Sequence, residues 1–436
     1  MTRYFTKSAA MFWTSRHATV SDSAIGLPAV KARPLRPFQT VLRYPTLRLI
    51  AVALLLLGMH NASVYPYQSV IAIERIGLSK QQFALLLVLA SAVAVTASVL
   101  FGMLTDQYGH RRRIALITAL ASTLGIAMML LHPSPLTLVL CQGILLPMAW
   151  SIYGQLFTLA RLASPEQGRG RDAILGSIRS LMSLGFLATL IFWTFAFASG
   201  AAEMRVYLTG GIASLAMALL ILVFWPKEGT TSWDDPRSGL NLKDAFRAIS
   251  TPHILMRLIF IGALSAAGNL YFVLISLVFE ASPVRDASDV ALYVGMVAGW
   301  EVPFMLILPR LTQHVSRSTA LALGAVVYTT HLAALPYLGD TPLIWLMPIF
   351  AGAGGAVILM LPIPYYQDLI HGRPGTASAM LALQKLVVDV LTAAIFALGT
   401  AIGGFEMVAL IGTAVSLLGA LCLYLADRHA WFPVRA

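Results

Sequence analysis

Apolar runs of about 20 residues recur along the whole sequence, and they constrain its fold more than any other feature. Each run is long enough to cross a bilayer core of about 30 Å as a helix. Charged residues make up only 11% of the 436 residues, which is too little polar surface for a water-soluble protein. Because an unpaired backbone amide is costly in lipid, we predict an all-α membrane protein. Alternating segments typical of a membrane β-barrel do not occur in the sequence.

Short polar breaks divide the apolar runs into twelve predicted spans. They cover residues 47–72, 81–103, 114–131, 136–160, 173–198, 204–225, 254–279, 290–310, 318–335, 341–364, 376–402 and 405–426. The longest break follows span 6. Together with the spans, this break divides the chain into five predicted parts. They are a basic cytoplasmic tail (1–45), a six-helix half (46–225), a central cytoplasmic linker (226–252), a second six-helix half (253–426) and a cytoplasmic C-terminus (427–436).

The basic residues predict the orientation of the chain. With the N-terminus inside, most Lys and Arg residues fall in the tail, the linker and the internal loops, which is the arrangement of cytoplasmic segments. This distribution accounts for the net charge of +11 without a nucleic-acid surface. The two cysteines lie in apolar runs and indicate neither a disulfide nor a metal site. We therefore expect both termini in the cytoplasm and no nucleic acid, metal or cofactor among the partners.

The segment between spans 2 and 3, from Gly102 to Ile114, has an unusual composition for a break between apolar runs. It contains two glycines, a carboxylate and three consecutive arginines, namely Gly102, Asp106, Gly109, Arg111, Arg112 and Arg113. It resembles the signature loop between helices 2 and 3 of the major facilitator superfamily (MFS) of secondary transporters. The resemblance implies the MFS fold, with twelve helices in two halves related by a pseudo-two-fold axis. It also implies that this loop latches the halves at the cytoplasmic side, with Asp106 facing the start of span 11.

Four charged residues stand out well inside predicted spans, where they are costly and therefore functional candidates: Arg179, Glu301, Lys385 and Asp389. Lys385 and Asp389 are four residues apart and share one helical face. They form either a structural ion pair or part of a substrate or proton site. Arg179 and Glu301 lie at comparable depth in spans 5 and 8, which face each other in the MFS arrangement. They could pair with each other or surround a substrate.

Polar side chains on spans 1, 4 and 7 are candidates for lining a central cavity. The principal ones are Asn61, Tyr153, Gln155 and Asn269. Amides both donate and accept hydrogen bonds, and aromatic rings stack on sugar C–H surfaces, so such a set suits an uncharged ligand rich in hydroxyl groups. The alternative for each residue is a hydrogen bond between helices.

Three further segments, 155–161, 298–305 and 366–375, resemble runs in bacterial sugar efflux transporters, the SET family within the MFS. They read Gln-Leu-Phe-Thr-Leu-Ala-Arg, Ala-Gly-Trp-Glu-Val-Pro-Phe-Met and Tyr-Gln-Asp-Leu-Ile-His-Gly-Arg-Pro-Gly. By this resemblance the functional positions are Gln155, Arg161, Arg179, Glu301, Gln367 and Asp368. Arg161, Asp368 and Arg373 lie at cytoplasmic ends of spans, where they are candidates for a latch, and we favour that role for Asp368 and Arg373. The sequence departs from the family in carrying Lys385 and Asp389.

The resemblance implies proton-coupled efflux of sugars or glycosides by alternating access across the bacterial inner membrane, by a monomer in the lipid bilayer. Glu301 is the first candidate for proton coupling and Asp389 the second. The alternatives are an MFS multidrug or metabolite exporter and, from another class, a membrane-embedded enzyme acting on lipid-linked sugars. An enzyme would need clustered acids or a metal trio in the loops. The acids of the predicted outer loops, Glu280, Asp286 and Asp289, have no histidine nearby in the sequence.

Overall fold

The computed structural model describes residues 37–108, 110–165, 169–226, 251–312, 315–369 and 374–428. Within these ranges the backbone forms twelve long helical segments that follow the predicted spans closely. They are α1 (Pro45–Arg75), α2 (Lys80–Tyr108), α3 (Arg111–Leu131), α4 (Pro135–Ala163), α5 (Arg169–Ala198), α6 (Val206–Phe224), α7 (Pro252–Glu280), α8 (Ala287–Leu311), α9 (Arg317–Leu338), α10 (Met347–Met360), α11 (Pro374–Ile402) and α12 (Gly404–Arg428). Among the described residues, eleven helices have the length and hydropathy of a membrane span.

Some segments depart from regular α-helix. A turn of 3-10 helix interrupts α1 at Tyr65–Tyr67, and a π-helix widens α4 at Val139–Leu145. Pro362 separates α10 from a short helix, Pro362–Leu369, because a proline cannot donate the next helical hydrogen bond. The predicted tail ends in another short helix, Pro37–Arg43, while residues 1–36, the linker residues 227–250 and residues 429–436 lie outside the described ranges.

The segment from Gly102 to Ile114, which we call the signature segment, makes its turn over fewer residues than the sequence predicts. Helix α2 continues to Tyr108 and α3 begins at Arg111, so Gly102 lies inside a helix and does not form the turn. A glycine inside a helix costs about 1 kcal/mol, which the surrounding helical hydrogen bonds outweigh here. Gly109 and the side chain of Asp106 lie outside the described part of the chain.

The two halves meet through three helix pairs: α1 packs against α7, α2 against α11, and α5 against α8. We call the side that carries Arg111, Arg112 and Arg113 the arginine-rich face, and the other side the opposite face. Toward the opposite face one apolar core runs through both halves. Toward the arginine-rich face the described residues of the first half form a separate core, which excludes the second half. Among the described residues, the apolar core that both halves share therefore lies toward the opposite face.

Candidate functional site

A polar cluster lies between the halves near the middle of the helices. The Lys385 ammonium contacts both carboxylate oxygens of Asp389, each at 2.9 Å, so the predicted i, i+4 arrangement on α11 is an ion pair. The Asn269 amide of α7 donates to the same carboxylate at 2.6 Å. Only 12% of the Asp389 side chain is exposed, against 37% for Lys385. The carboxylate is thus largely desolvated, and its cation remains accessible.

Two aromatic residues of the first half complete this cluster. The Lys385 ammonium lies 4.7 Å from the centre of the Trp150 ring, which belongs to α4, and this is a cation–π contact between the halves. The Trp150 indole donates a hydrogen bond to the Tyr65 hydroxyl of α1, and the two rings pack edge to face at 5.5 Å. Trp150 is 41% exposed. We call Tyr65, Trp150, Asn269, Lys385 and Asp389 the central cluster.

Glu301 occupies a different position, on α8 against the glycine-rich surface of α10. A Cβ atom on Gly355 would lie 2.9 Å from Glu301 Oε1 and 3.4 Å from Cε2 of the Tyr328 ring. The carboxylate therefore packs directly on a residue without a side chain, beside a buried tyrosine of α9. Any larger residue at Gly355 would displace the carboxylate or the ring.

Arg179 lies opposite Glu301 on α5, the helix that packs against α8. No ion pair within 4.0 Å joins these two side chains among the described residues. Arg179 is exposed. The two charges therefore lie on helices of different halves that pack together, and they are not in direct contact.

Other predicted site residues lie apart from the central cluster. The Arg111 guanidinium donates to the Gln155 amide oxygen at 3.4 Å, so Gln155 faces the signature segment. Tyr153 packs on Phe157 with ring centres 4.6 Å apart. Asn61 is half-buried in α1. The structure brings together Asn269, Lys385 and Asp389 from the predicted set.

The predicted cytoplasmic latch residues are distributed over both halves. Arg112 donates to the Leu222 carbonyl at 2.8 Å, while Arg113 and Arg161 are exposed. Asp368 pairs with Arg317 at 2.7 Å, and both partners belong to the second half. Arg373 lies outside the described residues.

A polar gate on the opposite face was not predicted from the sequence. Arg75 binds both oxygens of Glu203, at 2.8 and 2.9 Å, and reaches Glu280 of the second half at 2.7 Å. One turn deeper, the Ser69 hydroxyl donates to the Val273 carbonyl at 2.7 Å. It also shares a 2.9 Å hydrogen bond with the Ser276 hydroxyl of the second half. We call these contacts the opposite-face gate, because they close the boundary between the halves there.

The fold and the central cluster define a multi-pass membrane transporter with two halves and polar contacts between them. The chain belongs to the major facilitator superfamily, since the family profile Major Facilitator Superfamily matches residues 8–172 and 50–388.

Individual relatives agree with this membership. A Deinococcus radiodurans protein named "Putative sugar efflux transporter" is 23% identical over 384 residues, covering 84% of this chain and 94% of the relative. The crystal structure of nucleoside transporter NupG has a TM-score of 0.72 at 16% identity and covers 90% of this chain and 100% of that chain. A crystal structure of peptide transporter POT in complex with alafosfalin has a TM-score of 0.70 at 11% identity, covering 90% and 98%. The two structures share the fold.

Proposed function

We propose that this protein exports sugars or sugar-like solutes from a bacterial cell in exchange for protons, by alternating access across the inner membrane. The arginine-rich face is the cytoplasmic one, because positively charged loops are retained inside. Both termini then lie in the cytoplasm. On this proposal the contacts of Arg75 with Glu280 form an outer gate, and the state described here is the one that receives its solute from the cytoplasm.

The observation that carries this proposal is the central cluster. It combines an accessible ammonium, a carboxylate, an amide and an exposed indole at the boundary between the halves. A sugar offers hydroxyl groups to the Lys385, Asp389 and Asn269 side chains and a C–H face to the Trp150 ring. Because these groups come from both halves, a bound solute would contact both during the exchange of states. The similarity to a protein named for sugar efflux supports the same class of solute.

Glu301 is our candidate for the proton-carrying group. Its carboxylate packs against Gly355 and Tyr328, and Arg179 lies on α5, the helix of the other half that packs against α8. Relative movement of α5 and α8 would change the distance between Arg179 and Glu301, and with it the preference of the carboxylate for a proton. Such a change links protonation to the conformational state, as antiport requires. Asp389 is the second candidate, and its carboxylate already binds the Lys385 ammonium and the Asn269 amide.

Flux in proteoliposomes tests this function. Vesicles are loaded with a radiolabelled sugar, either lactose, glucose or a glycoside, and its release is followed with and without a pH gradient. We expect release to accelerate at least tenfold when the protonated side is the one corresponding to the periplasm. Glu74→Gln is the matched control, since Glu74 is exposed on the same face as the gate and its loss leaves the central cluster intact.

Two outcomes would decide against the proposal. Gradient-independent release identical to that of protein-free vesicles for every sugar would remove the sugar assignment. Gradient-driven release of an aromatic drug but of no sugar would instead support a multidrug exporter, for which the Trp150 and Tyr65 rings supply stacking surfaces.

A further inference from the structure

Several buried polar groups in the described part of the second half have no hydrogen-bond partner. Both ring nitrogens of His331 and the hydroxyls of Tyr271 and Tyr293 are buried, and none has a hydrogen-bond partner within the described part of the chain. His331 is 0% exposed. An unpartnered buried polar group costs about 1–3 kcal/mol, so several of them in one place call for an explanation.

These groups are in contact with one another. The His331 ring lies 4.9 Å from the Tyr271 ring, 5.9 Å from Tyr293 and 5.5 Å from Tyr328, measured between ring centres. The four residues come from α7, α8 and α9, which pack together in the second half. The result is a compact cluster of polar groups inside an otherwise apolar core.

The cluster of polar groups approaches Glu301 on one side. Tyr328 lies three residues before His331 on α9, which places it about one turn closer to the arginine-rich face. Its ring and the Glu301 carboxylate both lie within 3.4 Å of the position that a Gly355 Cβ would take. His331 is therefore separated from Glu301 by one tyrosine.

The polar groups continue toward the opposite face on the other side. Tyr67 is fully buried, its hydroxyl has no partner among the described residues, and it lies in the turn of α1 that packs against α7, the helix of Tyr271. Tyr67, Glu203 and Glu280 line one small cavity. Next to it, a cavity of about 370 Å³ is lined by Arg75, Glu203 and Asp286. Polar groups thus extend from this face to Glu301.

We propose that His331 and the tyrosines around it bind water and relay protons between the opposite face and Glu301. The line comprises Tyr67, Tyr271, Tyr293, Tyr328 and His331. Water molecules fit this chemistry because each hydroxyl both donates and accepts, and buried polar groups are commonly satisfied by water. This inference rests on the proposed proton coupling, since it supplies the route to the carboxylate.

The proton step balances within these groups. A water O–H bond breaks as an imidazole nitrogen of His331 gains the proton. The hydroxide that remains regains a proton from the next hydroxyl or water toward the opposite face. The other ring nitrogen then releases its proton through water or the Tyr328 hydroxyl to the Glu301 carboxylate, and a tautomer change restores the neutral ring. The titratable groups that contact His331 are Tyr271 on α7, Tyr293 on α8 and Tyr328 on its own helix, and Glu301 on α8 lies on the other side of Tyr328. From the α9–α10 connection, Trp345 packs on Tyr293, and the Arg285 guanidinium lies 5.2 Å from the Trp345 ring centre.

The test compares two fluxes in proteoliposomes. Equilibrium exchange of labelled sugar at equal pH reports binding and the change of state, and pH-gradient-driven flux reports coupling. We expect His331→Phe to keep exchange within about twofold of the unmodified protein and to lower driven flux at least tenfold. His331→Gln, which can bind water but cannot relay through an ionised ring, should behave in the same way. The matched control is Tyr366→Phe, which removes a buried, unpartnered hydroxyl of the same half outside the line.

Each outcome has a defined meaning. Driven flux unchanged in both His331 variants would overturn the relay. Loss of exchange together with driven flux in both variants would also overturn it, because His331 would then be a packing residue. If the unmodified protein exchanges sugar but shows no gradient-driven flux, the proposed coupling fails and not the relay alone. Slower driven flux in Tyr67→Phe and Tyr271→Phe, but not in the control, would support the full line.

Discussion

The opposite-face gate gives a prediction whose size follows from its contacts. Glu280→Gln removes the ion pair that Arg75 makes across the halves. Both side chains are about one-third exposed or more, so the pair contributes only about 0.2–1 kcal/mol after screening by solvent. Ser69→Ala removes the buried bridge to Ser276 and leaves that hydroxyl unpaired, which costs about 1–3 kcal/mol. Together the two changes should weaken the closed state by about 2 kcal/mol, or about 30-fold in its equilibrium constant.

The shift can be measured as a distance distribution by pulsed electron paramagnetic resonance. One spin label replaces Ser199 after α5 and the other replaces Ser282 after α7, in a background in which Cys141 and Cys422 are changed to serine. These positions lie on the opposite face in different halves. If the open state holds about 3% of the unmodified population, the double variant should raise it to about half.

The control for this measurement is a charge change beside Arg75 that leaves the gate contacts intact. Glu74→Gln makes the same charge change beside Arg75 without breaking a described ion pair, and it should leave the distances unchanged. A double variant whose long-distance population equals that of Glu74→Gln would refute the reasoning, because the gate contacts would then contribute nothing to the closed state. High salt should weaken the Glu280 effect and spare the Ser69 effect.

Three further perturbations should have separable effects. Gly355→Ala places a methyl group 2.9 Å from Glu301 Oε1 and should lower gradient-driven sugar flux at least tenfold while the protein still folds, as checked by circular dichroism. Trp150→Phe keeps an aromatic face but removes the indole hydrogen bond that holds the ring against Tyr65, which contributes about 0.5–1.5 kcal/mol, so sugar affinity measured by equilibrium binding should fall by about tenfold at most. Asp286→Ala removes the N-cap of α8 and should destabilise the protein in thermal unfolding by about 1 kcal/mol at pH 7. Although partial burial opposes it, hydrogen bonds from Ser288 and the Asp289 amide hold the pKa of Asp286 below its usual value, so this stabilisation is present above about pH 4 and is lost as the pH falls further.

The fold was predictable because the spacing of apolar runs against bilayer thickness leaves few alternatives. Span 9, predicted at 318–335, is helix α9 at Arg317–Leu338. The Lys385 and Asp389 contact was also predictable, since two charges four residues apart on one helix must be neighbours. Contacts between residues that are close together in one helix can therefore be predicted from the sequence alone.

Contacts between distant segments were not predictable in the same way. Arg75 and Glu280 are 205 residues apart, and both appear in the sequence as ordinary charges of short loops. Glu301 was identifiable as an intramembrane charge, but its contact with Gly355 depends on how α8 and α10 pack against each other. The Ala-Gly-Ala-Gly-Gly run from residue 351 was the available signal, because small residues permit close helix contact.

The stoichiometry of sugar and proton movement tests the central claim most directly. Proteoliposomes that contain a pH-sensitive dye and a radiolabelled sugar report both fluxes in one experiment. The account predicts that protons move opposite to the sugar in a fixed ratio, and that Glu301→Gln abolishes the proton movement while sugar exchange continues. Sugar efflux without any counter-movement of protons, or unchanged coupling in Glu301→Gln, would contradict it.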